Sequence, residues 1–99
     1  MAITATQVNK EFIFHVTGRF DFTCAQEFED LYLPQKGEPF EFVLDLKHTE
    51  YVDSSGIGLL LRMKHLLGQK IESILIRNCN PIVRHQFKVS QFDQFFVFE

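Results

Sequence analysis

Tryptophan is absent from the 99 residues, and cysteine is limited to Cys24 and Cys79. Two thiols are too few to staple a small secreted scaffold, so free cysteines in a reducing cytosol are expected. Basic residues are in the minority: 10 Lys and Arg against 13 Asp and Glu leave a net charge of −3. A nucleic-acid binder carries the opposite excess, so no direct contact with DNA or RNA is expected. No apolar run approaches the roughly 20 residues that a membrane-spanning helix needs. The opening Met1-Ala2-Ile3-Thr4 lacks the basic-then-apolar order of a secretory leader. Repeats, low-complexity stretches and linkers are missing too. What the chain has instead is phenylalanine, 12 residues of it, within a hydrophobic content of 45%. That content, with 23% charged residues, belongs to a folded globular domain. A chain this short supports one core, so residues 1–99 read as a single domain.

The pattern along the chain alternates strands and helices. Ile3 to Gln7 and Phe12 to Thr17 read as a hairpin around Asn9-Lys10, ended by Gly18. Thr23 is the expected cap of a short helix, with Gln26 at capping-box spacing and Ala25, Phe28, Leu31 and Tyr32 at helical spacing. Pro34 and Gly37 stop it. Phe42 to Leu46 is a nearly continuous apolar run, as in a central strand covered on its faces. Tyr51 to Gly58 is a strand-to-loop-to-helix junction, with Asp53 or Ser54 as the capping oxygen. The helix it opens carries an apolar face of Ile57, Leu60, Leu61, Met63, Leu66 and Leu67. Its polar face is Gly58, Arg62, His65 and Gln69, and Gly68 is the expected terminator. Ile71 to Arg77 reads as a strand, Ile82 to Val89 as a helix after Pro81, and Phe95 to Glu99 as a final strand. The fold class is therefore α/β: a mixed, mostly parallel sheet of about five strands, opened by a β-hairpin and packed with three helices.

Familiar catalytic chemistry is not supported. His15, His48, His65 and His85 are scattered, and none pairs at metal-ligand spacing with another histidine or a cysteine. The hydrolase elbow needs glycine two residues before its serine, but Val52 precedes Ser54 and Asp53 precedes Ser55 at that distance. No glycine-rich loop with Lys-Ser or Lys-Thr is present to cradle a nucleotide. Neither an enzyme nor a cofactor is expected. The phenylalanines between Phe87 and Phe98 read as an aromatic lid on one end of the core.

A pair of hydroxyls at a helix start remains. The amides there suit a phosphate, and a phosphoserine adds about −1.5 to −2 charges without melting the helix that it opens. The segment Tyr51-Val52-Asp53-Ser54-Ser55-Gly56-Ile57-Gly58-Leu59-Leu60-Leu61 resembles the phosphorylation segment of the STAS-domain anti-sigma factor antagonists. The resemblance continues in register. Gly18-Arg19-Phe20-Asp21 matches the family's Gly-x-Leu/Ile-Asp, Phe42 to Leu46 its central strand, and Asn80 to Ser90 its last helix before the final strand. Arg19-Phe20-Asp21-Phe22 and Asn78-Cys79-Asn80-Pro81 look most like a proteobacterial subgroup that works with a response regulator carrying kinase and phosphatase functions.

That resemblance implies a STAS fold and a switch. It makes Ser54 the phosphate acceptor, with Ser55 as the secondary candidate. Asp53 precedes the acceptor, Asp21 corresponds to the family acid facing the site, and Gly56 keeps the backbone open; these three support the switch. The implied partners are an anti-sigma factor that is also a serine kinase, bound in the unphosphorylated state, and a PP2C-type phosphatase that resets the protein. Gly58, Leu59 and Arg62 are the expected partner contacts. Many family members continue into a further helix, whereas this sequence stops at Glu99. A monomer is expected, since no dimer seam is legible. The alternative is a STAS subunit of another complex, such as a transporter, in which Ser54 is only a cap.

Overall fold

The computed structural model describes residues 2–68 and 73–99. The elements follow in the order β1 (Ile3–Val8), β2 (Glu11–Phe20), α1 (Ala25–Tyr32), β3 (Glu41–Val52), α2 (Ser54–Leu67), β4 (Ile74–Arg77), α3 (Pro81–Val89) and β5 (Val97–Phe98). The strands form one five-stranded sheet in sequence order, β1 antiparallel to β2 and each later pair parallel. Parallel neighbours need a long return, and α1, α2 and α3 supply one each. This is the mixed α/β fold that the sequence predicts.

Strand alternation decides what faces the helices. Phe12 and Phe14 of β2 align with Phe42 and Leu44 of β3, which align with Ile74 and Ile76 of β4; all are buried. Against them pack Phe28 and Tyr32 of α1, Ile57, Leu60 and Met63 of α2, and Val83 and Phe87 of α3, in one continuous cluster. The phenylalanine excess is used here. The Phe28 ring lies 4.9 Å from Phe14, 5.4 Å from Phe20 and 5.1 Å from Tyr32, each edge to face. Such pairs contribute about 0.5–1.5 kcal/mol each beyond the burial of the rings. At the other end, Phe87 meets Phe96 at 5.7 Å and Phe98 at 5.3 Å, closing the core with aromatics.

The opposite sheet face carries no helix among the described residues. Val43 on that face is still only 1% exposed. Arg77 reaches diagonally across it, its two terminal nitrogens donating to the Glu11 carboxylate at 3.3 and 3.0 Å while Nε donates to Glu99 at 2.7 Å. An ion pair thus roofs an apolar residue where no helix does.

Several local expectations change. Asp21, not Thr23, caps the segment leading into α1, because a single 3₁₀ turn over Phe22–Cys24 starts the helical run early. Gln26 does not reach back; it donates to Asp30 at 2.7 Å. β3 does not end at Leu46 but continues to Val52, through register shifts opposite His15–Thr17 and Gly18–Arg19. The last strand is only Val97–Phe98, since Asp93–Phe95 forms a 3₁₀ turn. Strand β4 begins at Ile74; Ile71 and Gln69 lie outside the described residues. Gly68 ends α2 as expected, with φ +72° and its N–H bonded to the Lys64 carbonyl.

Candidate functional site

The carboxyl edge of the parallel strands is where loops leave the sheet toward the helices, and β3 reaches it at Val52. One residue later α2 begins. Asp53 has the extended backbone of an N-cap, φ −112° and ψ −177°, and its Oδ1 accepts from the Gly56 amide at 3.0 Å. Of the two capping residues the sequence leaves open, Asp53 is the one used.

The neighbouring hydroxyls have different surroundings. Ser55 donates to Asp53 Oδ1 at 2.6 Å and accepts from the Phe22 amide at 2.9 Å. It ties the start of α2 to its own cap and to the loop after β2. Ser54 is exposed, and its hydroxyl makes no hydrogen bond among the described residues. It occupies the first helical position, beside first-turn amides that have no intrahelical partner.

Gly56 explains how the two segments come so close. It is buried, and a Cβ built on it would lie 2.1 Å from the Phe20 carbonyl oxygen. Only glycine fits there. Gly58 differs: a Cβ on it meets nothing within 4 Å, and its surface is open.

Asp21 is 6% exposed and fully engaged. Its Oδ1 accepts from the Thr23 amide at 3.0 Å and from the Thr23 hydroxyl, and Oδ2 accepts from Arg19 Nε at 3.1 Å. The Thr23 hydroxyl, then Arg19, hold its carboxyl below the usual aspartate range. Arg19 also stacks over the Tyr51 ring at 4.4 Å. Arg62 is exposed and faces Glu29 of α1 at 3.5 Å, and Leu59 is half-buried against the core.

The structure therefore brings Asp21, Asp53, Ser54, Ser55 and Gly56 to one edge. Gly58, Leu59 and Arg62 continue from it along α2. Two apolar residues at the same edge escaped the sequence reading. Phe22, 70% exposed, follows β2, and Ile82, 68% exposed, opens α3 after β4, so they flank the β3–α2 junction on either side. Neither sits in a periodic pattern. The one available hint was a large apolar residue directly after a capping or turn residue. Asn80 anchors the second flank by capping α3 through Val83 N–H at 2.8 Å and donating to the Thr49 carbonyl at 3.0 Å.

The family model for the STAS domain matches residues 2–99. A STAS-domain containing protein of Pseudomonas aeruginosa is 38% identical over 98 residues, which cover 97% of each chain. Among solved structures, an anti-sigma-factor antagonist (STAS) domain protein from Planctomyces limnophilus superposes with a TM-score of 0.81. It is 20% identical, over 100% of this chain and 90% of that one. The anti-sigma factor antagonist SpoIIAA in its unphosphorylated form gives a TM-score of 0.74 at 19% identity, over 99% of this chain and 88% of its own. At these identities the two likenesses are of fold.

Proposed function

The chain belongs to the STAS domain family, and from that premise we propose that it is an anti-sigma factor antagonist switched by phosphorylation of Ser54. The observation that carries this reading is the contrast between two adjacent hydroxyls. Ser54 is exposed and unbonded, whereas Ser55 is committed to Asp53 and Phe22. A kinase needs an accessible nucleophile, and only the first of the pair can be esterified without breaking the local scaffold.

In the unmodified state, the surface of Ser54, Gly58, Leu59 and Arg62 docks on an anti-sigma factor that is also a serine kinase, and the sigma factor is released. Phosphorylation adds about −1.5 to −2 charges beside Asp53, with Asp21 on the adjoining loop. Repulsion and desolvation then oppose docking unless the partner offers arginine or lysine. A loss of about 3–4 kcal/mol lowers affinity by two to three decades, enough for a switch. A PP2C-type phosphatase, carried by a response regulator in the subgroup that the sequence resembles, removes the phosphate. In this reading residues 1–99 act in the cytoplasm as one monomeric, non-catalytic domain without a cofactor.

The test is incubation with the cognate kinase and ATP, with the phosphate located by mass spectrometry. Label is expected on Ser54, lost in Ser54→Ala and kept in Ser55→Ala. Label persisting in Ser54→Ala overturns the site. Co-purification in which Ser54→Ala and Ser54→Asp keep identical partners makes the protein a structural subunit instead.

A further inference from the structure

On the helix-free face of the sheet, away from Ser54, the register shifts in β3 have a chemical result. Regular alternation would send Lys47 outward and His48 inward. The extra residue opposite His15–Thr17 turns both outward, so Leu46 and Thr49 are buried while Lys47 and His48 are exposed side by side. His48 pairs in register with Thr17 of β2, and Asp45 pairs with His15. These side chains line a cavity of about 260 Å³ together with Val16.

The polar groups around it divide cleanly. Asp45 is fully used: Oδ1 accepts from the Lys47 amide at 3.0 Å and Asn78 Nδ2 at 3.1 Å, and Oδ2 faces His15 Nδ1 at 3.6 Å. His15 turns its other nitrogen to the Thr6 hydroxyl at 2.8 Å. The Lys47 ammonium, the His48 ring and the Thr17 hydroxyl make no hydrogen bond or ion pair among the described residues. Three unengaged donor groups therefore line a concavity whose one carboxylate is already hydrogen-bonded by its neighbours.

We propose that this cavity binds the phosphate group of a small metabolite, with Lys47, His48 and Thr17 as its donors. Lysine acts as the point charge, and the hydroxyl and the imidazole N–H donate to the phosphate oxygens. At about 260 Å³ the concavity is of a size to take the phosphate of a small phosphomonoester. The site does not depend on the Ser54 switch, and either can fail without the other.

The experiment is a titration of the ¹⁵N-labelled full chain with inorganic phosphate, followed by amide chemical shifts. Chloride at matched ionic strength is the control. Saturable shifts are expected at Thr17, Lys47 and His48, with a dissociation constant on the order of 1–10 mM. Lys47→Gln weakens binding about tenfold, and Asp45→Asn tightens it several-fold by removing the opposing charge. Both positions are on the surface side of β3, and unchanged far-ultraviolet circular dichroism confirms folding. Equal shifts from chloride, unchanged affinity in Lys47→Gln, or shifts centred on Ser54–Gly56 each overturn the proposal.

Discussion

Replacing Gly56 by alanine sets two effects of opposite sign against each other. In a helix interior alanine is favoured over glycine by about 0.8–1.0 kcal/mol, so propensity alone predicts a more stable protein. The added methyl would stand 2.1 Å from the Phe20 carbonyl oxygen, 2.9 Å from its carbonyl carbon and 3.1 Å from a ring carbon. The two nearest atoms are backbone of β2, held in the sheet where Phe20 pairs with Val52 of β3, so α2 must retreat by about 1 Å. Overpacking of this kind costs about 1–3 kcal/mol. Retreat also stretches the Asp53 cap and the Ser55–Phe22 tie, about 1 kcal/mol each. The clash wins, with a net loss of about 2–4 kcal/mol. For a domain of this size each kcal/mol lowers Tm by about 4–8 °C. Gly58→Ala is the internal control: its Cβ meets nothing within 4 Å, so only propensity acts and stability rises by about 0.5–1 kcal/mol. Urea denaturation of both variants beside the parent chain is the assay. A Gly56→Ala protein as stable as the Gly58→Ala protein would refute the close approach of α2 to β2.

Other consequences can be measured with similar means. Ser55→Ala removes the bonds to Asp53 and Phe22 and should cost about 1–2 kcal/mol in urea, while Ser54→Ala, which removes none, stays within about 0.5 kcal/mol of the parent. Ser54→Asp places a negative charge at the positive end of α2, so its stability should be unchanged or a few tenths of a kcal/mol higher while binding to the proposed anti-sigma partner falls; co-purification and melting curves of one preparation test both halves. The lowered pKa of Asp21 means that the folded chain holds this proton less tightly than the unfolded one. Its contribution is complete above about pH 4 and fades as pH falls through the folded value, and that loss should shrink in Asp21→Asn. Burial pushes the Cys79 thiol up to about 11, so alkylation of the native protein at pH 7.5 should be far slower than after unfolding.

The sequence was readable wherever one local pattern governed. Phe42 to Leu46 mark β3, and the Asp53-Ser54 pair and Gly68 mark where α2 starts and stops. Reading failed where the pattern was interrupted. β3 looks five residues long because Lys47-His48 and Glu50-Tyr51 each leave two neighbours on the outer side, which breaks the alternation that marks a strand. Thr23 looked like a cap because its spacing to Gln26 is right, yet the carboxylate of Asp21 reaches the Thr23 amide itself. That Ser55 is tied to the loop after β2 while Ser54 is not is illegible for a different reason. What separates them is the Phe22 amide, 33 positions away in the chain, and no local spacing encodes that contact.

The division of labour at the junction also bears on what kind of switch it can be. Three side chains turn inward: Asp53 caps α2, Ser55 binds the loop after β2, and Asp21 holds that loop through Thr23. Gly56 lets the two segments meet without strain. All of the local bonding is thus made without the Ser54 hydroxyl, and the helix dipole favours a negative charge where that hydroxyl stands. A phosphate there finds no native contact to break and no reason to unfold the turn. On either side of the junction Phe22 and Ile82 stand exposed. If Ser54 is phosphorylated as proposed, such apolar flanks suit a partner that gains from hydrophobic contact and is rejected by a dianion.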